Sequence, residues 1–484
     1  MTEQASPTST TARTPAPEIT TLGELRASGY RSVPVAAELR RNAAARIAAG
    51  EPLVRGVLGF DDTVLPQLEN AVLAGHDVIL LGERGQAKTR IVRSLVGLLD
   101  EWLPVVAGSE IHDDPFNPIS RFARDAVGQH GEATPIAWVH REDRFGEKLA
   151  TPDTSIADLI GEVDPIRVAE GRYLSDELTI HYGLVPRLNR GIFAVNELPD
   201  LAERIQVGLL NVLEERDVQI RGHRVRLPLD IVLVATANPE DYTNRGRIIT
   251  PLKDRFGAQI RTHYPPDAAT ELAIARAEAA IPADGAGTPR VEVPEFMAEV
   301  VAELSQLARQ SPHLNQRSGV SVRLTIANYE TLVANAVRRA LRSGEQVAVP
   351  RVSDLESLVS STQGKVEIET LEEGREEILL AQLVAAAVLL VFRRRVVLED
   401  PKALVAAFAE DTVVHAGDDL PSGTYEETLA RLPVLRVPVE ALAGGSTEPA
   451  VVASALEFLL EGLHLTKRLN KEAAGARALY RGRG

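Results

Sequence analysis

The sequence predicts an α/β fold, a parallel sheet wrapped by helices, followed by a helical second domain and a helix-rich C-terminal extension. Three observations carry this expectation. His76-Asp77-Val78-Ile79-Leu80-Leu81 runs directly into Gly82-Glu83-Arg84-Gly85-Gln86-Ala87-Lys88-Thr89, which reads as a strand, a phosphate-cradling loop and the first turn of a helix. Gly191-Ile192-Phe193-Ala194-Val195 and Ile231-Val232-Leu233-Val234-Ala235 are short, bounded and continuously apolar, as strands buried on both faces are. Between Pro266 and Gly364 no such run recurs, and apolar residues take helical spacing instead.

Taken in order, residues 1–21 are rich in Ser, Thr and Pro, lack the basic and apolar regions of a signal peptide, and read as a disordered tail. Leu22 to Ala49 has helical periodicity and ends at Gly50, giving an N-terminal helical segment over 22–55. Residues 56–265 alternate strand and helix and form the nucleotide-binding α/β domain. The interval from Lys88 to Glu197 exceeds what a bare core needs. Most of the excess, about residues 104–152, reads as an inserted surface subdomain. Its His112-Asp113-Asp114, His130, Trp138 and His140 lack the spacing of a metal site. Alternation over Val218-Gln219-Ile220-Arg221-Gly222-His223-Arg224-Val225-Arg226-Leu227 predicts a β-hairpin around Gly222. Ala268–Ala280, Glu295–Gln310 and Val322–Ser343 read as amphipathic helices of a second domain over 266–365. From Val366 a helix-rich extension, 366–484, is broken by loops at Gly417–Gly423 and Gly444–Pro449.

Composition narrows the function. The 484 residues suffice for roughly three domains, and 44% hydrophobic with 25% charged residues is ordinary for a globular chain. The absence of cysteine removes disulfides, thiolate zinc sites and cysteine nucleophiles, and fits a reducing, cytoplasmic compartment. The longest apolar run, Ile378 to Phe392, includes Gln382 and stops short of the ~20 residues needed to span a bilayer, so a buried helix is expected and membrane insertion is not. A net charge of −15 argues against nucleic-acid binding, which needs clustered Lys and Arg. Only the C-terminal end, with Lys467, Arg468, Lys471, Arg477, Arg481 and Arg483, is locally basic.

The loop's spacing follows from its chemistry. Compared with G-x-x-x-x-G-K-[ST], Gly82 to Thr89 meets every fixed position except one, where Ala87 stands for the second glycine. Successive backbone N–H groups and the helix N-terminus face phosphates, Lys88 reaches the β/γ oxygens, and the Thr89 hydroxyl holds magnesium. ATP with Mg2+ is the expected cofactor. Hydrolysis further needs a carboxylate to orient water. The second strand ends in Asn196-Glu197, at the edge where strand ends project into the ligand crevice, so Glu197 is assigned to the attacking water. Asn196 occupies the place where an Asp usually helps to hold magnesium, and keeps its shape without its charge. Asn238, at the end of the third strand before Pro239, can sense the γ-phosphate through a water. Arg255 in Pro251-Leu252-Lys253-Asp254-Arg255-Phe256 offers a guanidinium for a neighbouring subunit's nucleotide, with Arg245 and Arg247 as rivals.

With these residues in hand, about residues 50–365 resemble the AAA+ ATPases, a P-loop core with a helical lid. Within them the chain is similar to the helix-2-insert clade of magnesium chelatase I subunits, MoxR-type ATPases and MCM helicases. Ala87 itself points there, since the clade uses Ala-Lys-Ser or Ala-Lys-Thr loops. Ile156 to Gly161, then Asp164 to Ile180, then Gly183 to Gly191 resembles a helix 2 interrupted by an insert, and Val218 to Leu227 the pre-sensor-1 hairpin. The resemblance implies roles: Lys88 and Thr89 for Walker A, Glu197 for the Walker B glutamate, Asn238 for sensor 1 and Arg255 for the arginine finger. Arg323 matches the sensor 2 arginine, with Arg317 as its rival. It also implies a homo-hexameric ring, and a partner carrying a von Willebrand A domain that is remodelled or receives metal. None of the matched residues recognises a porphyrin. Two other readings stand beside the motor: a nucleotide-dependent scaffold with little turnover because of Asn196, and an MCM-like translocase using Arg221, Arg224 and Arg226.

Overall fold

The computed structural model describes residues 13–163, 179–214, 217–219, 226–238, 246–281, 287–315, 319–366, 375–408, 412–474 and 477–482. The chain divides into two compact units. The first comprises Met1–Glu83 and Ala87–His263, the second Tyr264–Gly484 with Arg84–Gln86.

In the first unit the strands are β1 (Val78–Leu81), β2 (Trp102–Val106), β3 (Ile136–His140), β4 (Phe145–Leu149), β5 (Gly161–Val163), β6 (Ile180–Tyr182), β7 (Gly191–Asn196), β8 (Asp217–Gln219), β9 (Arg226–Pro228), β10 (Ile231–Ala237) and β11 (Ala258–Arg261). Five of them form one sheet in the order β11-β1-β10-β7-β4. Every pairing in it is parallel. The three strands read from the sequence, β1, β7 and β10, are its centre. Their unbroken apolar character has a direct cause. Odd-numbered residues Ile79, Leu81, Phe193, Val195, Leu233 and Ala235 enter one core. Even-numbered Val78, Leu80, Ile192, Ala194, Val232 and Val234 enter the other, with Ile91 and Val92 of the Lys88–Ser94 helix. A strand covered on both faces cannot alternate. The edge strands β4 and β11 carry Glu147, Lys148, Gln259 and Arg261, which hid them in the sequence. The stretch expected as an insert therefore contains one strand of the central sheet, while β2 and β3 pair with each other outside it.

The expected N-terminal helical segment holds two helices, Leu22–Ala27 and Val35–Ala48. Gly29 at φ 77° turns the chain between them, and Pro34 caps the second. Of the expected tail, residues 1–12 lie outside the described residues. The rest is placed: the Thr14 N–H donates to Glu101 at 2.8 Å, and Trp138 donates to the Ile19 carbonyl at 2.8 Å. Ahead of β7, short helices Ile156–Leu159 and Leu184–Arg187 flank the antiparallel pair β5–β6. Residues 164–178 lie outside the described residues. β8 and β9 pair antiparallel with Val218 opposite Leu227, the register a hairpin around Gly222 requires, although its tip, 220–225, is also outside them.

The second unit holds the three expected lid helices at Ala268–Glu278, Glu295–Gln310 and Val322–Ser343. Two-residue strands β12 (Arg290–Val291) and β13 (Val347–Ala348) pair beside them. The apolar run at 378–392 lies in an Arg375–Arg395 helix. Its Leu380, Leu383, Ala387, Val388, Val391 and Phe392 are buried, while Ile378 and Leu390 are exposed. Among the described residues no helix is long and apolar enough to cross a membrane. Strands β14 (Val413–Gly417), β15 (Leu469–Ala474) and β16 (Arg477–Gly482) form an antiparallel sheet in the order β14-β16-β15, strands that the expectation of a helix-rich extension did not name. Lid and extension share one apolar core.

Candidate functional site

Parallel pairing brings the C-terminal ends of β1, β10 and β7 side by side, because Leu81 is level with Ala237 and Ala235 with Val195. The loop leaves β1 there, held by the Gly82 N–H donating to the Ala237 carbonyl at 3.1 Å. Gly85 takes φ 77°, and Ala87 takes φ 54° and ψ 13° as the residue before the Lys88–Ser94 helix. Ala87 thus holds a left-handed position, which an L-residue adopts at a cost of about 1 kcal/mol. Lys88 is buried, and its ammonium donates to the carbonyls of Gly82 and Glu83, the latter at 2.8 Å. The charge is thereby kept inside the curve of the loop. Thr89 follows in the first helical turn.

At the end of β7, Asn196 and Glu197 diverge. Asn196, Thr236 and Glu147 lie on the sheet face that carries the Lys88–Ser94 helix, since even positions of β7 and β10 face it and Glu147 is level with Ala194. The Thr236 hydroxyl donates to Asn196 Oδ1 at 3.2 Å and accepts the Glu197 N–H at 3.2 Å. Asn196 Nδ2 donates to Glu147 Oε1, and Arg93 Nε donates to Glu147 Oε2 at 2.7 Å. Glu197 sits at φ 54°, a left-handed position that turns the chain out of the strand, followed by a Leu198–Asp200 turn. Asn238 is buried just beyond β10.

The structure therefore brings Lys88, Thr89, Asn196, Glu197 and Asn238 together at one edge of the first unit's sheet. Arg255 ends the Thr250–Arg255 helix of the same unit, is about two-fifths exposed, and lies 4.0 Å from Asp254. Arg247 is exposed, and Arg245 is outside the described residues. Arg323 is exposed in the first turn of the Val322–Ser343 helix in the second unit, its N–H bonded to Ser321 Oγ at 3.2 Å. Arg317 is outside the described residues. Sequence reasoning missed Thr236, Glu147 and Arg93. Thr236 was within reach, since a hydroxyl two residues before Asn238 breaks an apolar strand. Glu147 and Arg93 were not, because pairing across strands leaves no local trace. Among the described residues no group of three or more His, Asp or Glu is placed to hold a metal by itself. Asp113 in the His112–Asp114 cluster instead accepts the N–H groups of Ile119 and Ser120 at 2.7 and 2.8 Å.

For a magnesium ion brought by a nucleotide, the donor set is suitable: the Thr89 hydroxyl, Asn196 Oδ1 and the nearby carboxylates are all oxygens, as a hard cation requires. Their departure from the usual set is one of charge, a neutral amide at Asn196.

No family model matches the chain. Among curated proteins it is 28% identical over 230 residues to the magnesium-chelatase subunit ChlI-1 of Arabidopsis thaliana, covering 46% of this chain and 50% of that one. To ChlI of Nostoc sp. it is 30% identical over 226 residues, covering 45% and 56%. The chain thus spans about half the length of the curated relatives it matches. Among solved structures, a model of the complex between the BchI and BchD subunits of magnesium chelatase aligns over 88% of this chain and 97% of that one. The identity is 19% and the TM-score 0.34, too low a superposition to bear on the argument.

Proposed function

Starting from a chain related to the magnesium-chelatase I subunits, which are AAA+ ATPases, we propose that it binds ATP with Mg2+ and hydrolyses it as one subunit of a ring motor. The observation that carries this reading is the meeting of Lys88, Asn196, Glu197 and Asn238 at the ends of three adjacent parallel strands, the crevice in which open α/β sheets bind ligands. Lys88 and the loop N–H groups hold the phosphates, and Thr89 and Asn196 supply oxygens to the ion. Glu197 orients water and Asn238 reads the γ-phosphate. The ion's part is to offset charge on the phosphoryl group. Arg255, exposed at a helix end, suits an arginine finger reaching a neighbouring nucleotide, and Arg323 suits a lid arginine; both roles need a ring, and a homo-hexamer is the proposed form. A von Willebrand A domain partner, remodelled or loaded with metal, and a cytoplasmic location complete the reading.

Two variants test it. Lys88→Ala is expected to lower ATP affinity at least tenfold in equilibrium binding. Glu197→Gln is expected to bind ATP like the parent while phosphate release falls at least a hundredfold. Turnover that survives Glu197→Gln removes the hydrolysis assignment. A second reading rests on Asn196: without a strand-end Asp, the chain holds ATP as an assembly switch. It predicts no phosphate release from the parent protein and measurable release from Asn196→Asp.

A further inference from the structure

Asn196 leaves an amide where a carboxylate would lie level with the Lys88–Ser94 helix, yet a carboxylate is present one strand away. Glu147 is half-buried on β4, two residues before Leu149, which is level with Asn196. Its oxygens are divided: Oε1 accepts Asn196 Nδ2, and Oε2 accepts Arg93 Nε at 2.7 Å. Arg93 stands four residues after Thr89, one turn further along the same helix face.

An asparagine amide has two ends of opposite hydrogen-bonding character, and its neighbours decide which way it faces. Thr236 decides nothing, because a hydroxyl both donates and accepts. Glu147 does decide, because a carboxylate only accepts. With Glu147 in place, Nδ2 must face β4. Oδ1 must then face Thr236, which takes one of its two lone pairs. Reversal would set Oδ1 against a carboxylate oxygen.

We propose that Glu147 is a positioning residue for magnesium at the ATP site, fixing Asn196 with Oδ1 presented. This rests on the nucleotide reading above and assigns a separate residue within it. Glu147 acts through Asn196, and Arg93 keeps its second oxygen engaged, so the carboxylate stays in register with the helix that carries Thr89.

The test is equilibrium binding of a fluorescent ATP analogue at graded free Mg2+, which needs no turnover. Glu147→Gln is expected to raise the Mg2+ concentration at half-effect about tenfold, leaving affinity in a chelator unchanged. In an Asn196→Asp background the sign is expected to reverse. There Glu147 and Asp would be two facing carboxylates, so Glu147→Gln lowers the midpoint. An unchanged midpoint for Glu147→Gln, or an equal loss in both backgrounds, overturns the proposal. A purely structural role would move the ligand-free melting temperature and leave the midpoint alone, which also overturns it. If Glu147→Gln does not fold, Glu147→Asp decides, with an expected shift of about threefold and an unchanged midpoint counting against the proposal. A parent protein that binds the analogue neither with nor without Mg2+ brings down the nucleotide reading and this proposal together. A parent that binds, with Glu147 silent, brings down this proposal alone.

Discussion

Ala87 sets a small stress at the mouth of the candidate site. An alanine at φ 54° keeps its Cβ close to the following carbonyl, a conflict that glycine lacks. Ala87→Gly is expected to stabilise the protein by about 0.5–1 kcal/mol in urea unfolding, the relief of strain outweighing glycine's freer unfolded chain. A loss of stability would show that the Ala87 methyl, packed against the core that includes Ile91, matters more than the strain. His112 carries a pH dependence. Burial is the main cause that lowers its pKa from the ordinary 6.5, helped by the charges of Arg144 and Arg190, and its Nδ1 is buried with no hydrogen-bond partner among the described residues. Between the folded and unfolded values the unfolded chain binds more protons, so stability rises with pH there and is lost as pH falls below about 6.5. Melting temperatures from roughly pH 8 to pH 5 should fall less steeply for His112→Asn, whose side chain tolerates the φ of 49° at this position.

At the level of elements, the Val35–Ala48 helix is fastened to the sheet by a buried ion pair. Arg144 donates to both Glu38 oxygens, at 2.8 and 2.6 Å, and to the Arg190 carbonyl just before β7, at 2.9 Å through Nε. Both side chains are almost wholly shielded, at 0% and 3% exposure. Arg144→Met leaves a buried carboxylate and is expected to cost about 3–5 kcal/mol, with loss of amide protection concentrated in that helix. Glu38→Leu combined with Arg144→Met should recover most of it, which unfolding titrations on both variants will measure. Elements with a regular pattern of burial were legible in the sequence: the central strands, covered on both sides, and the three lid helices, covered on one. The β4 and β11 edges were not, since Glu147, Lys148, Gln259 and Arg261 meet water or ion-pair partners and break the apolar run. The helix break at Gly29 to Pro34 was written in those residues, but periodicity on either side masked it. Within the candidate site, Lys88, Thr89, Asn196, Glu197 and Asn238 were named from spacing along the chain, and they lie at the ends of β1, β7 and β10. Glu147, defined by a neighbour across strands, became visible only with the register in hand.

Across the molecule, the second unit is bound by contacts between segments far apart in sequence. Phe296 of the Glu295–Gln310 helix meets Phe458 of the Pro449–Leu465 helix at a ring distance of 4.6 Å, and Phe392 lies 6.1 Å from Phe458. Arg351, fully buried, donates to the Leu420 carbonyl at 2.9 Å. A protein ending at Gly364 would strip one side from Phe296, Val300 and Val301, so residues 264–364 are expected to lose their cooperative unfolding transition. Calorimetry of that truncation beside the full chain checks it, and a retained transition would mean the lid helices close a core of their own. Seen as heredity, the same shared core limits how this sequence can be reshuffled. A genetic exchange ending at the lid boundary would carry half a core into its new host, so residues 264–484 are expected to travel between lineages as one indivisible cassette.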